Sequence, residues 1–459
     1  MLFMSRARRK RSLSWEGEEV CIFTHSHHAL FLTVSILYNG DIASVPGTIN
    51  DEEPIVVEIM RGIRVLEVAS WTYVPVAGAV LAEWGADVIK VEHPETGDPQ
   101  RGLVTSGLVP LGGVAHMVEL PNRGKRSVGL DIKSPEGHEL LLRLAETADV
   151  FLTNFLPNQR KKLRIDVEDI RAVNPRIVFA SGSAHGPLGP DANTGGYDNS
   201  TFWARAGAAD TASPDELGYP VTQPGPAFGD VTGGLTLAGG ISAALLHRER
   251  TGEALTVDGS LLSQGAWSLG ATLAGVAAFG MARAPRYRPS EAPNAMVNSY
   301  QTADGRFVFL VMLQTDRFWP KLVTAFGKPE LIDDSRFADH AARMKNNKEA
   351  AAELAALFAA RSYDEAVQLL NSTGGAWAPV QRPIDVLSDP QIVANGYVKD
   401  LADANGTPFK LVPAPLQFNG ESGTPTRAPG HGEHTDEVLG ELGLDMDKII
   451  ELKISGAVL

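Results

Sequence analysis

The chain has 459 residues, 44% of them hydrophobic and 21% charged, and a formal net charge of −14. That length exceeds what one hydrophobic core usually serves, so two domains are expected. The acidic balance excludes nucleic acid as a default partner, and the single cysteine, Cys21, excludes an intrachain disulfide or a cysteine-built metal cluster and fits a reducing cytoplasm.

Residues 1–59 stand apart from the rest. They hold the basic run RARRKR at 6–11, Cys21, the histidines His25, His27 and His28, and an acidic DEEP at 51–54, with no sustained periodicity. They read as an N-terminal extension that need not be ordered. The histidine tract reads as a loose surface feature, the other histidines lack HExxH spacing, and no metal site is expected. No apolar run reaches the length of a membrane span; 29–38 is the longest near the N-terminus and is too short. The basic head is followed by Glu16, Glu18 and Glu19 and by no small-residue cleavage site, so neither secretion nor a membrane partner is expected.

At Met60 an α/β rhythm begins. A strand is expected over 63–68, an alanine-rich helix over 76–84 and a second strand over 86–91, which is a βαβ unit with parallel strands. Further buried-type strands are expected at 149–153 and 176–180. Between them 137–148 reads as a helix, with Leu140, Leu141, Leu144 and Ala145 at helical spacing. The segment 235–250 is Ala/Leu-rich, ends in basic residues and reads as another helix. The fold class is therefore α/β, a Rossmann-like open parallel sheet with helices on both faces. Beyond it, 298–311 reads as a hairpin about Asp304-Gly305, 318–326 and 348–361 as helices, 371–375 and 378–383 as loops, and 434–442 as an exposed helix. The stretch from 286 to 384 has the character of a smaller α+β domain.

The first strand-to-helix turn, ASWTYVPVAG at 69–78, lacks GxGxxG. That counts against a dinucleotide-dependent oxidoreductase. Polar and basic groups gather instead at strand ends: Arg101 after the second strand, NRGKR at 122–126, and Asn154-Phe155 with Arg160, Lys161 and Lys162 just beyond. Open α/β sheets bind ligands at those ends, and such cations suit phosphates. The most informative segment is PAFGDVTGG at 226–234. Asp230 stands at the mouth of a small-residue loop just before a helix, either as an N-cap acceptor or as a carboxylate nucleophile.

These stretches carry a resemblance. GADVIKVE at 85–92, Gly97-Asp98 with Arg101, NRGKR at 122–126, LDIKSPEG at 130–137, Asn154-Phe155, NPR at 174–176, Gly229-Asp230, RAP at 427–429 and GEHTDEVL at 432–439 resemble, in this order, the class III CoA-transferases. That family includes formyl-CoA and carnitine-CoA transferases and α-methylacyl-CoA racemase. The resemblance runs from about Gly62 to the C-terminus. It implies a CoA-transferase that moves CoA from an acyl-CoA to a carboxylic acid, with Asp230 forming a mixed anhydride and then an aspartyl-CoA thioester. Backbone N–H groups around Gly233 and Gly234 would hold the developing oxyanion. It implies CoA contacts from Ser70, Trp71, His93, Arg101, Asn154, Phe155, Lys162 and Tyr197. It implies CoA and acyl-CoA as substrates and no permanently bound cofactor. It implies an interlocked homodimer, and a large domain at 60–285 to which 385–459 return after the small domain at 286–384.

Three departures narrow the reading. The family's small Ala-Gly-Pro is Tyr73-Val74-Pro75 here, which alters that pocket wall. No glycine-rich lid stands at 293–299, which counts against oxalate or formate specialisation. Racemases place a histidine where Tyr197 stands, and tyrosine, with its high pKa, suits two-base proton exchange poorly. Transfer is therefore preferred over 2-methylacyl-CoA epimerisation; a non-catalytic CoA-binding protein, with Asp230 only a cap, is the third reading. The apolar set Phe202, Trp203, Met296 and Met312 hints at a sizeable acyl group, although such residues more often belong to the core than to a pocket.

Overall fold

The computed structural model describes residues 58–103 and 113–459, and four short strands ahead of them. Those strands form two antiparallel pairs, Lys10–Trp15 with Glu18–Phe23 and Ile36–Tyr38 with Asp41–Ala43, within a separate unit, Met1–Ile55. The histidine tract lies outside the described residues.

The second unit, Val56–Leu459, is built on a six-stranded sheet. Its strands are β1 (Arg64–Val68), β2 (Asp87–Glu92), β3 (Arg126–Gly129), β4 (Val150–Thr153), β5 (Val178–Ser183) and β6 (Thr256–Ser260). The order across the sheet is β6-β5-β4-β1-β2-β3, and every pair is parallel. The strand order reverses between β1 and β4, and such a switch point opens a crevice at the carboxyl ends of the strands.

The side-chain period of two divides the core. Val65, Val150, Leu152, Val178 and Ala180 face one side. There they meet Val76, Val80 and Leu81 of α1 (Tyr73–Glu83) and Leu237, Ala238 and Ile241 of α4 (Phe228–Thr251). Leu66, Val68, Phe151 and Phe179 face the other side, against Leu140, Leu141 and Leu144 of α2 (Pro135–Glu146), with Leu163 of α3 (Pro157–Leu163) packed on the same core. Val438 and Leu439 of α10 (Thr435–Glu441) and Ile449 and Leu452 of α11 (Met446–Ile454) join this second core, and Leu459 N–H donates to Gly129 O. The helix expected to be exposed at 434–442 is thus seated on its apolar residues. A third core lies wholly within 295–370, where β7 (Val297–Gln301), β8 (Phe307–Val311) and β9 (Trp377–Pro379) make an antiparallel sheet under α7 (Thr315–Ala325), α8 (Asn347–Ala359) and α9 (Tyr363–Thr373). The stretch expected as a loop at 378–383 begins inside β9. Its proline ends an edge strand, where a missing N–H costs no ladder bond.

One helix, α4, does have the length and apolar character to cross a membrane, at mean hydropathy 1.2. The sequence expectation overlooked it because glycine, threonine and serine, with Asp230, interrupt its leucines, isoleucine and valine, so no continuous apolar run stands out. In the fold α4 is a core helix between α1 and the β5–β6 edge.

Candidate active site

The crevice at the switch point is framed by the turns after β1 and β4. Ser70 N–H donates to Asn154 Oδ1 at 3.1 Å, and Asn154 Nδ2 donates back to Ser70 O at 2.6 Å. This reciprocal pair locks the two strand ends together. Trp71 follows at φ +68°, a left-handed conformation that costs a non-glycine residue about 1–3 kcal/mol. Its N–H donates to Asp98 Oδ1 at 3.1 Å, and Asp98 is itself held by Lys90 Nζ at 2.9 Å. Beneath the turn Lys90 and Lys125 both reach Glu67, and all three side chains are fully buried. A buried ionic lattice thus fixes the strained turn.

Asp230 enters from α4. The helix starts earlier than the sequence suggested. Ala227 occupies the cap at φ +60° with no side-chain cap bond, and Asp230 is the third helical residue. The N-cap reading of Asp230 is therefore corrected: it lies in the first turn, where the helix dipole favours a negative charge. Beside it, Asp198 accepts from Asn199 N (2.7 Å), Gln223 Nε2 (2.8 Å) and Gly229 N (3.3 Å). Burial, with Asp198 adding like-charge repulsion, pushes the Asp230 carboxyl up to about 8.

A cleft of about 470 Å³ opens over Asp230, lined also by Trp71, Thr72, Tyr73, Asn154 and Tyr197. Tyr197 is exposed and meets Trp71 edge-on at 5.6 Å. Two further hollows follow along the strand ends. One, of about 230 Å³, contains Ser70, His93, Lys133 and Phe155; the other, of about 720 Å³, contains Lys133, Phe155, Lys162 and Arg164. Shared Phe155, Lys133 and Leu163 make these two hollows neighbours.

Eight of the expected site residues thus line these three spaces, and three do not. Arg101 is bonded to both oxygens of buried Glu92, at 2.7 Å each, and to Pro429 O. Burial would push Glu92 up, but Arg101 and Lys90 bring it down to about 2. Arg101 is therefore engaged by a buried acid and lines none of the three spaces. Gly233 and Gly234 lie inside α4, where their N–H groups belong to the helix's own i→i−4 bonds. The oxyanion role is corrected accordingly. A Cβ on Gly233 would stand 2.7 Å from the Tyr73 ring, and one on Gly234 would stand 2.6 Å from Val76 Cβ, so these glycines let α4 approach α1. The apolar set is corrected too: Phe202, Met296 and Met312 are core residues, and Trp203 packs against the same core as Phe202. Sequence reasoning noted Tyr73 only as part of an altered pocket wall, gave Asp198 no role in the cleft region, and missed Lys133 and Arg164 in the groove. Lys133 bore the signal already used elsewhere, a cation at a strand end.

Residues 60–435 match the model of CoA-transferase family III. The chain is 30% identical to the (R)-2-hydroxy-4-methylpentanoate CoA-transferase of Clostridioides difficile, over 87% of this chain and 99% of that one. It is 32% identical to the succinyl-CoA:glutarate CoA-transferase of Mus musculus, over 87% and 90%. Among solved structures, a CAIB/BAIF family protein from Brucella suis superposes with a TM-score of 0.71 at 31% identity, covering 83% of this chain and 99% of that chain.

Proposed function

The chain belongs to CoA-transferase family III, and on that premise we propose that it moves CoA from an acyl-CoA to a free carboxylic acid through covalent states of Asp230. The observation that carries this reading is Asp230 itself, a half-buried carboxylate at the mouth of the sheet's switch-point crevice, with a cation-bearing groove beside it.

The Asp230 carboxylate attacks the thioester carbonyl, and CoA leaves as a thiolate, giving a mixed anhydride. The thiolate returns to the Asp230 carbonyl and releases the donor acid, leaving an aspartyl-CoA thioester. The acceptor carboxylate repeats the sequence in reverse, and Asp230 ends as the free carboxylate. No general base is needed once the carboxylate is ionised, and the route uses no resident cofactor. Phe155 and Ser70 would contact the pantetheine arm, and Lys133, Lys162 and Arg164 the phosphates. The absence of histidine among the described residues of the Asp230 cleft favours transfer over 2-methylacyl-CoA epimerisation, which needs two opposed acid–base groups. Intact-mass measurement after mixing with a panel of acyl-CoAs, followed by peptide mapping, tests the route. A CoA-sized adduct on the peptide bearing Asp230 is expected; unmodified protein with every donor would refute it.

The carboxyl at about 8 gives a pH signature. A protonated Asp230 cannot attack, so single-turnover acylation should rise about tenfold per pH unit below pH 8 and level above it. A flat profile from pH 6 to 9 would show that Asp230 is already ionised or is not the nucleophile.

We also propose a cytoplasmic interlocked homodimer, with 60–285 and 385–459 as one domain and 286–384 as the other; the separate third core supports that division. The helices α5 (Leu261–Ser268) and α6 (Gly270–Phe279) support the dimer. No residue of α6 is buried, and Trp267 and Phe279 are 82% and 78% exposed, an apolar surface that calls for a cover. Sedimentation should give twice the 49.0 kDa of one chain. Phe279→Glu should shift the protein to monomer or aggregate; a monomeric wild type with full activity would overturn the proposal.

A further inference from the structure

Resting on the transferase reading above, we propose that Tyr73 selects the acyl group: its ring closes the cleft beside Asp230, and its hydroxyl donates to a neutral oxygen on the acyl chain. The substrate class is hydroxy acids, taken in preference to plain alkanoic and dicarboxylic acids.

The first ground is how the ring is held. Tyr73 is 8% exposed and lines the cleft with Asp230. Three glycines on three different elements make its slot. A Cβ on Gly182 of β5 would lie 2.8 Å from the ring, one on Gly233 of α4 2.7 Å, and one on Gly259 of β6 2.5 Å from the hydroxyl. Any side chain at these positions would displace the phenol, so the ring has one position, and a donor fixed in place loses little entropy on binding.

The second ground is the hydroxyl. It makes no hydrogen bond to a described residue, yet it is not one of the fully buried unpaired atoms, so it stands free to take a partner. Burial and then Asp230 raise its pKa well above the usual value, so it stays a donor at every working pH. An acyl group with an oxygen in reach satisfies it, and one without leaves it unpaired.

The third ground is charge. Asp230 is the only charged side chain among the described lining residues, with the Asp198 carboxylate beside it. The other polar groups are neutral: Thr72, Asn154, Ser183, Tyr197 and Ser200. A second carboxylate on the substrate would meet the Asp198 carboxylate and, in the reactive form, an ionised Asp230, with no cation among the described lining residues.

Four CoA esters of equal chain length test this: 2-hydroxybutyryl-, 3-hydroxybutyryl-, butyryl- and succinyl-CoA, each as donor to wild type and to Tyr73→Phe. At least one hydroxy ester should exceed butyryl-CoA by about 10- to 100-fold in kcat/KM, and succinyl-CoA should be slowest. Tyr73→Phe should bring that hydroxy ester to within about threefold of butyryl-CoA. A preference that survives Tyr73→Phe, or succinyl-CoA accepted as fast as the better hydroxy ester, would overturn the proposal. Equilibrium binding of the same esters to Asp230→Asn, with and without Tyr73→Phe, reads the contact without the chemistry. A Tyr73-dependent preference there, with no turnover by wild type, would sink the transferase reading and spare this one. Equal binding of hydroxy and plain esters would sink this one alone.

Discussion

Asp230→Asn yields a folded protein whose CoA transfer falls by at least about 10³-fold. The substitution keeps the size and an acceptor oxygen in the first turn of α4, so the Gly229–Asp198 contact and the Tyr73 packing are undisturbed. It removes the one group on which the acyl chain and then CoA can be carried. Residual activity above about a tenth of wild type would refute the covalent route. A stability readout comes with it. Burial and Asp198 raise the Asp230 carboxyl to about 8, so the folded protein keeps a proton that the unfolded chain has released near pH 4. That contribution to stability is complete below the unfolded pKa and is lost as pH rises through the folded one. Asparagine does not titrate. The variant's melting temperature should therefore gain on wild type between pH 5 and pH 8.5, by a few degrees. A pH-independent difference would mean that Asp230 is ionised throughout, and the tenfold-per-unit acylation profile should then fail with it.

The four inner strands of the sheet were easy to read in the sequence, and its two edge strands were hidden. β1 and β2 stood out as branched apolar runs on either side of an alanine-rich helix. β3, with the sequence RSVG, and β6, with TVDGS, are strands only because β2 and β5 pair with them. The start of α4 was misplaced for an instructive reason. Glycines at 229, 233 and 234 look like a loop, yet here they are packing glycines under Phe202, Tyr73 and Val76. Periodicity cannot distinguish a glycine that frees the backbone from one that admits a neighbour's ring. The oxyanion expectation fell with that misreading. Arg101 lies off the three spaces for another reason: a cation at a strand end looks free until its partner is known, and Glu92 is buried at the end of β2. The placing of Asp230, Asn154 and Trp71 around one cleft was legible because open α/β sheets gather such residues at strand and helix ends. Tyr73 was visible only as a departure, and its three-glycine slot needed the fold.

Lys90→Met should be the most damaging single change away from Asp230. Lys90 on β2 stands directly opposite Glu67 on β1, and both are fully buried. Its ammonium lies 3.2 Å from Glu67, 2.9 Å from Asp98 and 2.9 Å from Ala69 O. Burial opposes its charge, but Asp98, Glu67 and Glu92 together hold its proton more tightly than usual. Lys125 is the weaker cation of the pair: burial pulls it down to about 7. Removing Lys90 therefore leaves Asp98 as a buried carboxylate without its cation, at a cost of about 3–5 kcal/mol. The damage should not stop at stability. Asp98 is what accepts from Trp71 N–H in its left-handed turn, and the adjoining Ser70 is locked to Asn154. A variant that still folds should bind acyl-CoA at least about tenfold more weakly, because relaxing that turn moves Trp71 out of the cleft wall. Lys125→Met is the control. It leaves Glu67 paired with Lys90 and does not touch Asp98, so it should lose less stability and little affinity. Urea unfolding and acyl-CoA titration of both variants give the comparison. If the two lose stability equally while Lys90→Met keeps wild-type affinity, the lattice is only a structural filler and the turn is held by something else. If only Lys90→Met loses both, the charges buried beneath the sheet's switch point are what hold the site in its working shape.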